Sequence, residues 1–215
     1  LFRNGIEVVW RTTNWGEPTV IIENFKNKNA LRKNCKGPNC GYDEILLNGL
    51  KQQILATNKN KILIVLHTST SHGPTYYEKY PMQFEKFTPV CKSVELADCT
   101  QQELINAYDN TILYTDYILA TLIDELKQLN EYNTSMIYVS DHGESLGENN
   151  LYMHGIPASL APTEQLDIPF LVWLSEGDKK LKEKQELSQH HIFHSILDFL
   201  DVDSPIYDEQ MSIFK

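Results

Sequence analysis

The sequence predicts an α/β fold with a mostly parallel sheet sandwiched by helices. Three observations carry this: apolar runs of strand length at 61–66, 135–140 and 168–174, helical-period segments between them, and histidine-bearing turns after the first two runs. In chain order, Ile6-Glu-Val-Val-Trp10 is rich in β-branched and aromatic residues and reads as a strand. Residues 11–36 are polar, with scattered Asn and Lys, and read as a long connection. From Tyr42, the positions Ile45, Leu46, Leu50 and Leu55 follow helical spacing and stop before the turn-like Asn58-Lys-Asn60, which predicts a helix. Residues 61–66 read as a buried strand, followed by Gly73-Pro74 and a tyrosine-rich loop. Between Gln101 and Leu129 the apolar positions, among them Leu104, Tyr108, Ile112, Ile118, Leu122 and Leu126, keep a 3.6-residue period and predict one long amphipathic helix. The strands at 135–140 and 168–174 follow, then a basic run at 179–184 that reads as a solvated loop or helix start, and a closing helix over 189–200.

Composition bounds the function. With 215 residues, 41% hydrophobic and 22% charged, the chain suits one globular domain with a substantial core. Nineteen Lys and Arg stand against 29 Asp and Glu, a net charge of −10, which argues against a nucleic-acid partner. The longest aliphatic run, Ile62-Leu-Ile-Val-Leu66, is far short of the roughly 18 residues of a spanning helix. The opening Leu-Phe-Arg-Asn-Gly has neither an initiator Met nor an apolar leader, and reads as a point inside a longer protein.

The four cysteines fall in two close pairs, Cys35 with Cys40 and Cys91 with Cys99. Pairing of neighbours is the simplest of the three connectivities, and such disulfides persist only in an oxidising compartment. A zinc cluster is the rival reading; neither pair has the Cys-x-x-Cys spacing that favours one. Four free thiols are the third.

Chemistry concentrates after the strands. Asp141-His142-Gly143-Glu144 follows the run at 135–140, where open α/β sheets bind ligands at the carboxyl ends of their strands. A carboxylate beside an imidazole offers two ligands of the kind zinc accepts, and Gly143 permits the tight turn between them. Ser71-His72-Gly73-Pro74 follows the earlier strand in the same way, and His154-Gly155 lies in the loop after Asp141. Each histidine taken singly is more often structural than catalytic. Convergence of three from separate loops is harder to explain by packing. His190, His191 and His194 have apolar neighbours on the closing helix and read as packing residues. His67 reads as orienting its loop, and Glu144 and Glu148 as solvated or as supports for ligands.

The runs Ser71-His-Gly-Pro-Thr-Tyr-Tyr77, Ser140-Asp-His-Gly-Glu144, His154-Gly-Ile-Pro157 and Ile168-Pro169, with both cysteine pairs, resemble the periplasmic catalytic domain of phosphoethanolamine transferases. These form part of the sulfatase-like branch of the alkaline phosphatase superfamily. The likeness extends from about Val8 to about Val202 and implies an alkaline phosphatase/sulfatase-like fold.

It further implies that Asp141 and His142 are zinc ligands, and that His72 and His154 hold the phosphoryl group or a second zinc, with His154 able to protonate a leaving oxygen. One zinc ion or two would bind. The implied reaction takes phosphoethanolamine from phosphatidylethanolamine onto a threonine and passes it to an acceptor such as lipid A or another envelope glycan or protein. That threonine and its neighbouring carboxylate ligand would precede Leu1, with a membrane anchor upstream, placing a monomeric protein at the periplasmic face of the bacterial inner membrane. The alternatives are another sulfatase-like hydrolase, a phosphoglycerol transferase, or a non-catalytic periplasmic binding module.

Overall fold

The structure, a computed structural model, describes residues 1–15, 17, 22–177, 179–183 and 186–215. The connection expected over 11–36 and the basic run at 179–184 fall partly outside these residues. Strand β1 (Glu7–Thr12) is flanked in parallel by β2 (Asn24–Lys26) and β3 (Ile62–His67), with Val9 opposite both Asn24 and Ile64. Strand β4 (Ser135–Val139) is followed by a small antiparallel hairpin, β5 (Ser145–Leu146) with β6 (Tyr152–Met153), and then by β7 (Phe170–Leu174). β7 lies antiparallel beside β4, with Ile137 opposite Val172. The parallel pairs are thus β1 with β2 and with β3, and the strand read at 168–174 joins in the opposite sense.

The crossover into β3 carries α1 (Lys28–Arg32) and α2 (Leu50–Ala56). The helix expected from Tyr42 is divided: Asp43–Leu46 forms a 3-10 turn, and Gly49 at φ 66° breaks the backbone before α2 begins. The connection read over 11–36 contains the end of β1 as well as β2 and α1. Arg11, 1% exposed, donates from Nη1 to the carbonyls of Leu46 (2.7 Å) and Asn48 (2.9 Å) and from Nη2 to Gln53 Oε1 (2.7 Å). One guanidinium therefore ties β1 to the turn before α2.

The long helix α3 (Gln101–Leu126) starts with a capping box, in which Thr100 Oγ1 accepts from the Glu103 N–H and the Glu103 carboxylate accepts from the Thr100 N–H at 2.8 Å. After it come α4 (Thr163–Leu166) and α5 (His190–Phe199). No helix among the described residues is long and apolar enough to cross a membrane.

Leu50, Ile54, Tyr114, Ile118, Leu126 and Met136 form one buried cluster. Tyr76, Cys91, Leu96, Leu104, Ala107 and Leu146 form a second, beneath the loops that carry the candidate site. Fully burying a large apolar side chain contributes about 1.5–3 kcal/mol. Both neighbouring cysteine pairs are disulfides, Cys35 with Cys40 and Cys91 with Cys99.

The basic run does more than face solvent. Lys180 exchanges backbone hydrogen bonds with Lys215, Leu181 bridges to Phe214, and the Lys179 ammonium pairs with Asp198. β3 is half-buried at every position, because it borders a cavity of about 1220 Å³ whose other wall is β4. Apolar side chains of α3 and α5 line it, and His67, His72, Asp141 and His142 stand at its polar end.

Candidate active site

Three loops build the site. The first leaves β3 and is anchored by Asp43, a buried carboxylate whose Oδ2 accepts from the Ser69 N–H at 2.7 Å and from Thr70 Oγ1 at 2.5 Å. His72 follows, with its Nδ1 at 2.8 Å from the Gly73 carbonyl. A carbonyl only accepts, so Nδ1 carries the proton and Nε2 keeps its lone pair. A Cβ on Gly73 would lie 2.6 Å from the Tyr76 hydroxyl, so only glycine lets the tyrosine ring pass.

The second loop leaves β4. Gln189 Nε2 donates to the carbonyls of Ser140 (2.9 Å) and Asp141 (2.7 Å), holding the strand end. His142 Nδ1 lies 2.8 Å from the Gly143 carbonyl, which again leaves Nε2 as the free nitrogen. That Nε2 is 3.7 Å from Asp141 Oδ2, and the Asp141 side chain is 79% exposed. Gly143 donates to the Gln165 carbonyl at 3.0 Å, and a Cβ there would sit 2.0 Å from the Glu164 carbonyl oxygen. The glycine is required by close approach of α4.

The third loop carries His154. Its ring lies 3.9 Å from that of His142 and 5.8 Å from that of His72, measured between centroids. His154 Nδ1 bonds Glu144 Oε1 at 2.9 Å, and Glu144 Oε2 accepts from the Tyr76 hydroxyl at 3.0 Å. Burial, then the charge of Glu144, pushes the Tyr76 phenol far above its ordinary range, and the same two causes push Tyr108 up to about 12. Burial followed by Asp141 raises Tyr138.

The structure therefore brings His72, Asp141, His142 and His154 to one sheet end, as the sequence indicated. Glu144 is buried and engaged, while Glu148 accepts from the Leu146 N–H at 2.6 Å and serves its own loop. His67 pairs through Nδ1 with Glu17, and its Nε2 lies 3.3 Å from Asn14 Nδ2. Burial opposes ionisation of Glu17, yet its bond with His67 leads the influences that hold its carboxyl below the ordinary value. On α5, His191 bonds Ser188 and His194 accepts from the Asp208 N–H at 3.0 Å, which are structural contacts away from the site. Asp43, Tyr76 and Gln189 were not singled out from the sequence. Tyr76 had a signal there, lying in the Ser-His-Gly-Pro-x-Tyr-Tyr run, whereas nothing local marks Asp43 or Gln189.

The family model for sulfatases matches residues 5–202. A phosphoethanolamine transferase EptA of Helicobacter pylori is 41% identical over 226 residues, covering 100% of this chain and 43% of that protein. The C-terminal periplasmic domain of phosphoethanolamine transferase EptC from Campylobacter jejuni superposes with a TM-score of 0.84 at 35% identity, covering 99% of this chain and 68% of that one. The soluble domain of lipooligosaccharide phosphoethanolamine transferase A from Neisseria meningitidis gives 0.86 at 34% identity, covering 99% and 67%. The chain thus spans less than half the length of the curated relative and about two thirds of the solved domains. With its histidine-bearing loops on that shared fold, the chain belongs to the sulfatase family and, within it, to the phosphoethanolamine transferases.

Proposed function

We propose that the protein containing this chain transfers phosphoethanolamine from phosphatidylethanolamine, through a phosphothreonine, to an envelope acceptor such as lipid A at the periplasmic face of the inner membrane. The observation that carries the reading is the convergence of His72, His142 and His154 beside Asp141, in a chain whose relatives bear the transferase name. His72 and His142 each have Nδ1 committed to a backbone carbonyl, and His154 has it committed to Glu144. All three therefore keep Nε2 for other work.

The donor set fits zinc. Asp141 offers a carboxylate and His142 an Nε2 lone pair fixed by its other nitrogen, the donor types and orientation that zinc ligands show. Among the described residues no group of three such ligands gathers; a further carboxylate and the nucleophilic threonine, which the family resemblance implies, would complete the site. Zinc, when bound, would acidify a nearby hydroxyl and neutralise phosphoryl charge. Protonated at Nε2 as well, His72 would donate to a phosphoryl oxygen. With its Nε2 facing the site, His154 would take the attacking hydroxyl's proton and pass it to the leaving oxygen, from the threonine to the lipid's leaving oxygen in the first step and from the acceptor to the threonine oxygen in the second.

The test is intact-mass and peptide mapping of the full-length parent, incubated with phosphatidylethanolamine and zinc. A phosphoethanolamine adduct on a threonine outside this chain, lost in His142→Ala, is the expected result. Bound zinc without an adduct would move the substrate to another phosphate or sulfate ester. Absence of both would favour a binding module.

A further inference from the structure

We propose that Tyr76 and Glu144 are positioning residues that lock His154 with its proton on Nδ1 and its Nε2 facing the site. The inference rests on the transferase reading for its catalytic consequence, but the geometry that carries it is independent of the metal. Glu144 is held at both oxygens: Oε2 accepts from Tyr76 at 3.0 Å and Oε1 meets His154 Nδ1 at 2.9 Å. Its side chain is 5% exposed, so water offers little alternative to either bond. Tyr76 is 1% exposed, its ring meets that of Tyr108 edge-on at 5.5 Å, and it belongs to the buried cluster under the site. Burial and the facing carboxylate keep its phenol protonated, which makes it the donor and Glu144 the acceptor. A carboxylate only accepts, so Oε1 takes its bond from Nδ1–H and the tautomer of His154 follows, while Tyr76 fixes where that carboxylate stands.

The same chain of contacts joins all three loops. Tyr76 crosses the space that Gly73 leaves open, immediately after His72, and Glu144 follows His142 by two residues. The spacing of the glycine, the tyrosine and the glutamate thus becomes one device that sets where His154 stands relative to the other two rings. Loss of supporting bonds of this kind typically costs about 10–100-fold in activity.

The experiment uses the full-length parent with nitrogen-15 histidine, comparing wild type, Glu144→Gln and Tyr76→Phe, with His154→Gln to assign the ring signals. Ring nitrogens are read in metal-stripped protein, so no metal dictates the tautomer, and zinc content, kcat and KM are read after reloading. While Tyr76 keeps donating, the amide in Glu144→Gln turns its oxygen to the tyrosine and its NH2 to His154. The expected result is an Nε2–H form of His154 in that variant, with kcat down about 10–100-fold, KM within about twofold and zinc content kept. Tyr76→Phe preserves the ring packing; it is expected to keep the Nδ1–H form and lose activity by a smaller factor. An unchanged tautomer in Glu144→Gln, or a fall in activity that follows lost zinc, would overturn the proposal. If the wild type shows the Nδ1–H form and the variant reverses it while no phosphoethanolamine is transferred by either, the positioning stands and the transferase reading fails.

Discussion

Gly143 shows how a single missing methyl group positions a site. Its backbone approaches α4 so closely that a Cβ would stand 2.0 Å from the Glu164 carbonyl oxygen, well inside contact distance. Backbone cannot swing aside as a long side chain can, so either α4 or the loop bearing Asp141 and His142 must shift. Gly143→Ala is expected to cost about 1–3 kcal/mol in denaturant unfolding and, on the proposed zinc site, to weaken zinc binding, because His142 is the preceding residue. Gly155→Ala is the control: open space surrounds its missing Cβ, and the penalty comes only from its φ of 104°. Equal losses in the two variants would show that the α4 contact is not what matters. Asp-His-Gly-Glu marked Gly143 as a tight turn, but its φ is not left-handed and what requires the glycine is the close approach of α4. Glu164 lies in α4, beyond the β5–β6 hairpin, and Asp43, which anchors the His72 loop, sits 26 residues before Ser69. Local spacing reports which residue types meet a ligand and says little about which remote groups hold them.

At the scale of the element, α3 illustrates both the strength and the limit of periodicity. Its 3.6-residue pattern is evident because Leu104, Ala107, Tyr114 and Ile118 turn inward, yet Ile112, which fits the apolar series, is 43% exposed. The inward face also contains Asn106, Asn110, Thr111 and Thr115, polar positions that a hydrophobic count passes over. Their reason is the loop they cover. Asn110 Oδ1 accepts from the N–H groups of Lys86 (2.8 Å) and Phe87 (3.0 Å), while Nδ2 donates to the Phe87 carbonyl (2.9 Å) and faces the Tyr80 hydroxyl (3.3 Å). Asn106 adds a bond to the Pro89 carbonyl at 2.8 Å. These side chains fasten the segment between the His72 loop and the Cys91–Cys99 disulfide. Asn110→Ala removes three part-buried hydrogen bonds to the loop backbone and is expected to destabilise by about 1–3 kcal/mol, with faster hydrogen exchange at the amides of Lys86 and Phe87. Protection at those amides equal to wild type would show that the loop is held by other contacts.

For the whole molecule, the order of strands was legible and their partnership was not. Apolar runs identified β3, β4 and β7, but not the direction of β7: between β4 and β7 the only α-helix among the described residues is the four-residue α4. A parallel return usually runs through a crossover helix that packs on the sheet, and residues 140–169 instead form the hairpin and site loops, with β7 coming back antiparallel beside β4. The run that looked like a fully buried strand, β3, is half-buried because a cavity separates it from β4. The closing helix was also legible, but what fastens it was not, since the contacts come from the basic run and the C-terminal residues.

Asp198 on α5 is the centre of that fastening. Its carboxylate pairs with Lys179 and accepts from Ser212 Oγ at 2.5 Å, while Ser195 Oγ on the same helix accepts from the Ile213 N–H at 3.1 Å. Burial opposes ionisation, but the hydrogen bonds from Lys179, Ser212 and Tyr207 prevail and hold the carboxyl below its ordinary value. A folded value below the unfolded one means that the stabilisation is fully present above the unfolded pKa of about 3.9 and is lost as pH falls through the folded value. Asp198→Asn removes the charge at every pH. The gap in unfolding free energy between wild type and this variant is therefore expected to be constant near neutrality, to narrow below pH about 4, and to close once wild-type Asp198 is protonated in both states. Urea titrations of both proteins from neutral to acid pH check it. A gap that persists unchanged into strong acid would mean that Asp198 acts through packing and neutral hydrogen bonds, and that its charge contributes nothing to holding the C-terminal segment.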